Sequence, residues 1–428
     1  MKVLIVSHNP FSTYQSMGKT FLSLFSGFDK NELCQLYIYP TIPDVNVCNS
    51  FYRVTDKDVL KSYIHFGKVS SREIRQDEID TTVHEKFENK KDEKLYNREK
   101  NYLTMIGRDC MWKFSKYYNN SLDNWIKREM PTCIFLAPGE AKFIYDLGIK
   151  ISKKNNIPIV TYVCDEYYFV NKPKKVLGKI QLKLLQMKIE KLMKRTECLV
   201  TICDELKDLY SKEFHVPAVT IMTGTNLQLA DKPKQIDKID SITYLGNLAY
   251  KRDESILEIG KALDNLQKKY GMECKLKLYT AELDEKMNEA IKNNNSIEYC
   301  GFVTGEEFVS VLHESKMLLH TESFDNICIN RVKNSISTKI ADSLASGIPL
   351  LAYGPSNIAS ISYLKKNECA YVIDQKENLE ELLRQVLLNA GLDKEIRKNG
   401  LLQAKMNHDS QKNSTLIKEL LTKVSQSV

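Results

Sequence analysis

Short continuous apolar runs alternate with amphipathic stretches along the first half of the chain. Such runs are typical of strands buried on both faces of a parallel sheet, and the stretches between them have helical spacing, as at 17–25 and 141–153. The alternation predicts a doubly wound α/β domain over residues 1–226. The predicted strands are 3–7, 33–39, 133–137, 158–164, 198–202 and 218–222.

The pattern weakens between residues 52 and 124, where mixed charge is dense from 86 to 101. We expect charged helices that decorate the first domain in this region. The pattern itself indicates no function for them.

A second series of strands and helices begins at residue 241 and predicts a second Rossmann-like domain over 241–405. The polar, proline-containing segment 227–240 separates the two series and is the best candidate for a linker. The predicted strands are 241–245, 274–279, 297–300, 317–320, 349–352 and 370–373, and the predicted helices are 255–270, 282–293, 305–314, 337–346, 379–389 and 410–424.

Composition narrows the class of protein. At 428 residues the chain is too long for one ordinary core, and no apolar run is long enough to cross a bilayer. The first strand has too short an apolar core for a signal peptide. Eleven scattered cysteines without a Cys-x-x-Cys pair, and histidines without ligand spacing, favour reduced core thiols in a cytoplasmic protein over disulfides or zinc.

The net charge of +7 comes mainly from one segment, 172–195, in which Glu190 is the single acidic residue. This segment is interpreted either as a helix on an anionic membrane surface or as a solvated face that covers the first domain. Binding to nucleic acid is less favoured, because the positive charge is local and the sequence shows no nucleic-acid-binding module. Two sets of residues carry the amphipathic pattern: Lys175, Lys179 and Lys183 on one face, and Leu177, Ile180 and Leu184 on another.

Two segments of the second series carry candidate chemistry. The strand at 241–245 is followed by Gly246, Asn247, Lys251 and Arg252, and the strand at 317–320 is followed by Glu322. Each segment combines a buried strand, a small-residue turn and polar groups. Phosphates and sugars bind at such places in α/β folds.

A short string in the first domain imitates a phosphate-binding loop. Gly18, Lys19 and Thr20 follow the first strand, but the complete motif needs a glycine at the position of Thr13. We therefore expect residues 16–18, including Ser16 and Gly18, to form a loop whose backbone faces an interdomain cleft.

Three further strings complete a family resemblance. They are Glu-Ser-Phe-Asp at 322–325, Ser-Thr-Lys-Ile at 337–340, and Leu-Ala-Ser-Gly-Ile-Pro-Leu-Leu-Ala-Tyr-Gly-Pro at 344–355. The chain resembles the bacterial GT-B glycosyltransferases of family 4, which are retaining and depend on nucleotide sugars. The resemblance covers the whole chain in architecture and is specific over 241–355. It implies an acceptor-binding first domain, a donor-binding second domain, and a final helix at 406–428 that returns to the first.

The resemblance also implies roles for single residues. Glu322 lies near the donor sugar and Asp342 holds the ribose, although twelve extra residues interrupt the family's spacing between them. In the family, two cationic side chains bind the pyrophosphate. Arg252 stands at the position of one of them, and Asn247 stands at the position of the other. The missing charge would come from Lys339 or from the inserted Arg331 or Lys333. Backbone groups of Phe302 or Val303 would contact the base.

Ser337 and Thr338 are expected to give hydroxyl and backbone donors to the diphosphate, beside Lys339. The alternative is that they only cap a helix. Asp165 and Glu166 end a buried strand of the first domain and face the cleft in the resembling family, or are simply exposed to solvent. No Asp-x-Asp doublet stands at the matching place, so neither a metal nor another cofactor is expected.

These observations predict a cytoplasmic transferase, peripheral to the inner membrane face in one interpretation. It would move a hexose, with retention, from a UDP-linked donor to a glycan or lipid-linked glycan in surface polysaccharide synthesis. Two alternatives stay open: a nucleotide-sugar 2-epimerase of the same fold, and a catalytically inactive scaffold subunit. The unusual Asn247 and Asp342 keep the second alternative in view.

Overall fold

The computed structural model describes residues 1–13, 15–64, 71–79, 102–171, 173–281, 283–390 and 394–427. The chain forms two compact units. The first contains Met1–Thr223 and Ser410–Val428, and the second contains Gly224–Asp409. The segment 86–101, which is dense in mixed charge and predicted to be helical, lies outside the described residues, as does Lys172.

The described part of the first unit is built on an eight-stranded sheet of order β4-β3-β2-β1-β5-β6-β7-β8. The strands are parallel except for β4, which pairs antiparallel with β3. Helices on both faces bury β1, β2, β5 and β6 completely, which explains their continuous apolar sequences. The strands are β1 (Val3–Ser7), β2 (Leu33–Tyr37), β3 (Ser50–Arg53), β4 (Arg72–Ile74), β5 (Cys133–Ala137), β6 (Ile159–Val163), β7 (Thr196–Thr201) and β8 (Ala218–Thr220).

The helices of this unit flank its sheet. They are α1 (Ser16–Leu24), α2 (Asp56–Ile64), α3 (Tyr102–Phe114), α4 (Asn120–Glu129), α5 (Lys142–Asn155), α6 (Val176–Met193), α7 (Asp204–Phe214) and, at the end of the chain, α16 (Ser410–Gln426), with short 3₁₀ turns at Lys30–Glu32 and Gln76–Glu78.

The second unit has a parallel sheet of order β11-β10-β9-β12-β13-β14, six-stranded over the residues described. Its strands are β9 (Ser241–Leu245), β10 (Lys275–Tyr279), β11 (Ile297–Gly301), β12 (Leu318–Thr321), β13 (Leu350–Tyr353) and β14 (Tyr371–Ile373). Its helices are α8 (Arg252–Tyr270), α9 (Glu285–Lys292), α10 (Gly305–Glu314), α11 (Asn326–Val332), α12 (Lys339–Ala345), α13 (Ala359–Lys366), α14 (Leu379–Asn389) and α15 (Glu395–Asn407).

Each sheet reverses its strand order at one point, between β1 and β5 in the first unit and between β9 and β12 in the second. At such a reversal the connections leave on opposite sides and open a crevice at the carboxyl ends of the strands. Ligands of doubly wound folds bind in these crevices, so the residues that follow β9 and β12 are the first candidates for a site.

The final helix belongs to the first unit, the domain to which the sequence assigned it. Ile417 and Leu421 are fully buried, while Leu416 stays 44% exposed on the opposite side. Polar contacts with the α1 region fix its position. The Ser414 hydroxyl accepts a hydrogen bond from Gly27 N at 2.9 Å, and the Lys418 ammonium lies 2.6 Å from Glu32.

The segment predicted as a linker, 227–240, lies within the second unit. Ala230 N and Lys234 N donate to backbone carbonyls at the end of α12 and just beyond it, at 3.0 Å each. Ile236 and Ile239 are buried. Because these two apolar side chains need a core, the segment packs as a strap along the unit, and the boundary falls at Gly224.

All eleven cysteines are free thiols, and most are buried. None of the helices that the structure describes combines the length and apolar composition that crossing a membrane requires.

Candidate functional site

The candidate site of the second unit lies where its strand order reverses. Gly246 follows β9 directly, and its N–H donates to Tyr279 O of β10 at 2.9 Å. Glu322 follows β12 directly, and its N–H donates to Tyr353 O of β13 at 2.9 Å. Backbone pairing therefore fixes both predicted residues at neighbouring strand ends, as parallel pairing of β9 and β12 requires.

Arg252 and Glu322 form a two-pronged ion pair at this point. Arg252 Nε donates to Glu322 Oε2 at 3.1 Å, and Nη2 donates to Oε1 at 3.0 Å. The glutamate is only 3% exposed. Burial raises the pKa of its carboxyl, and the guanidinium opposes that rise. The Glu322 carboxylate and the Arg252 guanidinium are thus fixed side by side in a site with little water, where charges interact strongly.

The turn before α8 delivers this arginine. Tyr250 and Lys251 have φ angles of 58° and 57°, in the left-handed region that side chains other than glycine adopt at a cost of about 1–3 kcal/mol each. Arg252 then opens α8. Because strained turns persist only where the surroundings enforce them, this turn is a positioning device for Arg252.

Lys339 approaches the same site from the other side. It opens α12, and its ammonium occupies the space that a Cβ on Gly246 would fill. The ammonium also lies 6.0 Å from the centre of the Tyr244 ring. A side chain at 246 would therefore displace the ammonium from this position. Arg252 and Lys339, which the sequence proposed as a pair, are brought to one place.

His320, which sequence reasoning missed, is part of this cluster. Its Nε2 lies 3.1 Å from the Ser360 hydroxyl and 3.6 Å from Glu322 Oε1. Burial, helped by the charges of Arg252 and Lys339, lowers the pKa of the imidazole to about 3, so it is neutral at physiological pH. The available signal was a polar residue two positions before Glu322, on the same face of a strand.

Gly354 allows β13 to pass close to Glu322. A Cβ at this position would lie 3.0 Å from Glu322 Cβ and 3.2 Å from its nitrogen. The predicted string at 344–355 therefore contributes a backbone wall behind the carboxylate.

Asn247, which stands where the family has a cation, supports Arg252. Its side-chain oxygen accepts from Arg252 Nη1 and from Ala249 N, both at 3.2 Å. Lys251 turns away and pairs with Asp325 at 3.0 Å and with Glu254 at 3.4 Å. The hydrogen bond from Lys251 is the main reason why the pKa of Asp325 falls to about 2.

The insertion that breaks the family spacing is a short helix, α11. The Asp325 carboxylate caps its first turn by accepting from Ile327 N and Cys328 N at 2.9 and 3.0 Å. Arg331 and Lys333 lie exposed at its far end. Neither makes an ion pair with any residue that the structure describes, whereas Lys339 already lies in the cluster.

Thr338 and Asp342 flank the start of α12. Thr338 has helical backbone angles and, within the described ranges, makes no side-chain cap to the helix. Ser337 lies just before it, half-buried. Asp342 accepts a hydrogen bond from the Thr225 hydroxyl at 2.6 Å. Asp342 is thereby oriented by the first residues of the second unit.

Phe302 and Val303 follow β11, an edge strand two places from β9. Gly301 has a φ of 85°, which turns the chain, and Thr280 N donates to its carbonyl at 2.7 Å. Phe302 is 54% exposed and Val303 is buried. The loop thus presents one exposed aromatic ring at the same edge of the sheet.

The candidate carboxylates of the first unit differ from one another. Asp165 accepts from the Tyr167 hydroxyl at 3.2 Å. Glu166 is buried, and its Oε1 accepts from Tyr168 N and Phe169 N at 2.7 and 2.8 Å. Glu166 therefore holds the turn after β6 together.

The loop predicted around Ser16 and Gly18 is instead the first turn of α1. The reason is steric: a Cβ on Gly18 would lie 2.6 Å from Ser12 N and from its Cβ, so glycine lets the helix pack against the loop that follows β1.

The first unit also gathers polar groups where its own strand order reverses. His8 follows β1, and its Nε2 lies 3.3 Å from Arg108 Nη2. Arg108 Nε donates to Asp56 at 2.9 Å, and Trp112 donates to the same carboxylate at 2.6 Å. Sequence reasoning missed this cluster because Asp56, Arg108 and Trp112 lie in the weakly patterned region.

No group of three His, Cys, Asp or Glu side chains suited to a metal ion occurs in the part of the chain that the structure describes. The cationic side chains Arg252 and Lys339 are the positive groups of the second-unit site.

Comparisons with known proteins bear on the fold and on the class of enzyme. Residues 260–419 match a family model described as glycosyl transferase-like. No curated protein sequence shows significant similarity to the chain.

Several solved structures share the fold. A sucrose-phosphate synthase from Thermosynechococcus elongatus is 11% identical with a TM-score of 0.61, and 100% of each chain is covered. Anabaena HepE in complex with UDP is 9% identical with a TM-score of 0.64, covering 99% of this chain and 100% of that one. An E. coli structure described as trehalose-6-phosphate bound with UDP-2-fluoro glucose is 10% identical, with a TM-score of 0.59 and full coverage of both chains.

At these identities the likenesses establish the fold, which is GT-B with two Rossmann-like domains, and the predicted fold class is confirmed. Together with the glycosyl transferase-like match, they support a glycosyltransferase, as the sequence predicted. Membership of family 4 stays a prediction.

Proposed function

We propose that this chain is a retaining glycosyltransferase. It transfers a hexose from a UDP-linked donor to a glycan or lipid-linked glycan in surface polysaccharide synthesis. The observation that carries the proposal is the convergence of Arg252, Lys339 and Glu322 where the strand order of the second sheet reverses. UDP is favoured because the structure of HepE contains UDP and the E. coli structure contains UDP-2-fluoro glucose.

The chemistry requires positive charge beside the leaving group. When the bond between the sugar and UDP breaks, the diphosphate gains negative charge. The anomeric carbon bonds to the oxygen of an acceptor hydroxyl, whose proton passes to the departing phosphate oxygen. In our proposal Arg252 and Lys339 stabilise that charge, and the hydroxyl groups of Ser337 and Thr338 add donors. No metal ion is part of this proposal, so activity should persist in a chelator.

Glu322 and Asp342 divide the rest of the donor between them. Glu322 is assigned to the sugar, because its carboxylate lies at the buried end of the crevice beside neutral His320. Asp342 is assigned to the ribose, and the exposed ring of Phe302 with the backbone of Val303 to the base. In the first unit, Asp165 and the start of α1 are assigned to the acceptor side.

A thermal-shift panel of nucleotides and nucleotide sugars tests donor binding first. A ligand at a hundred times its Kd adds about 2.7 kcal/mol to the free energy of unfolding, so UDP and a UDP-hexose should raise the Tm measurably. A panel in which no nucleotide raises the Tm would contradict the proposal.

Turnover of the donors that bind then separates the alternatives. A transferase releases UDP faster when a glycan acceptor is added. Formation of the C2 epimer of the donor sugar, without any acceptor, would indicate a 2-epimerase. Binding without turnover would indicate a scaffold that has lost catalysis, for which Asn247 in place of a cation is the specific reason.

A further inference from the structure

Helix α6 has two apolar faces, one buried against the first unit and the other exposed to solvent. The first face packs on the first unit: Leu182, Leu185, Ile189, Leu192 and Met193 are buried. The second face is a stripe spaced by about one helical turn, whose members are 38–70% exposed. We call these residues the α6 stripe: Val176, Leu177, Ile180, Leu184 and Met187.

The orientation of α6 is fixed by buried polar contacts. Lys142 of α5 donates to Gln181 on the buried face of α6 and forms an ion pair with Asp109 of α3 at 2.8 Å. On the flank, Lys188 forms an ion pair with Asp146 at 2.6 Å. The stripe cannot turn inward without breaking these contacts, so its exposure is built into the fold.

A row of lysines borders the α6 stripe. Lys175, Lys179 and Lys183 are spaced by four residues, so they lie on one side of the helix, between its buried face and the stripe. All three are exposed, and none has an ion-pair partner within the described ranges. Lys174 and Lys194 extend the positive charge at both ends.

We propose that this surface, the α6 stripe with its lysine row, docks on an anionic lipid membrane. The apolar side chains enter the boundary between headgroups and acyl chains, and the lysines contact lipid phosphates while their stems remain along the apolar surface. The sequence left this helix open between a membrane surface and a solvated covering face. The exposure of its apolar residues favours the membrane.

Charge decides between a membrane and a second copy of the chain. A symmetric dimer places the same patch of both subunits face to face, which would put two lysine rows at one interface without an acidic complement in the patch. Acidic lipid headgroups are the complement that both the stripe and the row can use at once. The proposal does not depend on the identity of the donor or the acceptor.

Flotation of the full-length protein with vesicles tests the proposal. We expect binding to vesicles that contain phosphatidylglycerol and little binding to pure phosphatidylcholine. Each lysine near such a surface contributes about fivefold to the partition constant, so Lys175→Glu/Lys179→Glu/Lys183→Glu should lower it by about a hundredfold or more. Ile180→Ser/Leu184→Ser should also abolish flotation, although it leaves the charge unchanged.

Matched controls keep the test specific. Lys261→Glu/Lys286→Glu/Lys292→Glu makes the same charge change on exposed helix positions of the second unit. Leu388→Ser/Leu402→Ser removes two apolar residues that are somewhat more exposed than Ile180 and Leu184. Both controls should float like the wild type. If they lose binding to the same extent as the α6 variants, attraction is non-specific and the proposal is overturned.

A tryptophan probe gives a direct reading of insertion. The native Trp112 and Trp125 are fully buried, so Ile180→Trp adds the single exposed tryptophan. Its emission should shift to shorter wavelength on anionic vesicles and be quenched by brominated lipid, unlike that of Leu388→Trp. A shift that depends on protein concentration and appears without vesicles would indicate a second copy of the chain and overturn the proposal.

Discussion

Arg252 and Glu322 neutralise each other in a site that is almost closed to water. Their side chains are 16% and 3% exposed, and the pair is joined by two hydrogen bonds. A buried pair of this kind contributes little net stability, while removal of one partner leaves an uncompensated charge. In the proposed function the pair is a preorganised part of the site, in which Arg252 exchanges part of its contact with Glu322 for a phosphate.

The two cations give the first prediction. Arg252→Ala and Lys339→Ala should each lower kcat by about a hundred- to a thousandfold, because each removes a preorganised charge that acts as the leaving group develops its own. Donor affinity should change less than turnover. Steady-state kinetics with a UDP-hexose measure both. Lys269→Ala, which removes an exposed lysine paired with Glu380, is the control. Near-normal turnover in both site variants would place the diphosphate elsewhere.

The two carboxylates give the second prediction, with opposite effects. Glu322→Gln should cripple transfer and preserve the affinity for free UDP, because this side chain is assigned to the sugar. Asp342→Ala should weaken UDP binding first, since Asp342 is assigned to the ribose. Calorimetric titration with UDP, beside turnover measurements, separates the two effects. Equal loss of UDP affinity in both variants would contradict the assignment.

His320 gives a prediction about pH. Its pKa is about 3 in the folded chain and 6.5 as the unperturbed value, so the unfolded chain binds the proton first as pH falls. The free energy of unfolding should therefore decrease below about pH 6.5, by up to about 1.4 kcal/mol per pH unit from this group. In His320→Gln the decline between pH 6 and 4 should be shallower.

Urea unfolding at several pH values measures this difference. The same replacement at the exposed His313 is the matched control. Parallel curves for His320→Gln and the wild type would show that the imidazole is not held neutral by the fold.

At the scale of elements, the ends of strands were predictable and the packing of helices was not. Gly246 and Glu322 could be found because a continuous apolar run reveals where a buried strand stops. The helix predicted at 337–346 begins at Lys339, and the insertion before it folds into α11. The capping carboxylate Asp325 was the local signal for α11.

Contacts between distant residues lie beyond such reasoning. Arg252 meets Glu322 across 70 positions, and Lys339 meets Gly246 across a larger separation. Sequence periodicity carries no information on which helix start faces which strand end. The resemblance supplied the residue types in this case, and the sheet order supplied their proximity.

Helix α16 gives the prediction at this scale. Ile417→Ala and Leu421→Ala should each lower the free energy of unfolding by about 2–5 kcal/mol, because both side chains are fully buried in the first unit. Leu416→Ala, on the exposed side of the same helix, should cost far less and serves as the matched control. Urea unfolding measures the three variants. Equal effects at 416 and 417 would mean that the helix does not pack on this face.

At the scale of the whole molecule, the second unit is inserted into the first. The chain enters it at Gly224 and leaves it at Asp409, and Thr225 N donates to His408 O at 2.7 Å where the two crossings run side by side. The second unit is thus one continuous stretch of sequence, and its two ends are hydrogen-bonded to each other. The first unit, in contrast, needs α16 from the far end of the chain. Ligand effects can therefore be assigned to units by peptide position.

This organisation gives the last prediction. Saturation with UDP should slow amide hydrogen exchange in peptides of the second unit that contain 246–252, 301–303 and 337–342, because UDP is proposed to contact residues in all three. Where exchange requires release of the ligand, a hundredfold excess over Kd should slow it by about a hundredfold. Mass spectrometry of the exchanged peptides measures this, and Asp342→Ala at the same UDP concentration should reduce the protection. Protection confined to peptides of the first unit would contradict a donor site on β9 and β12.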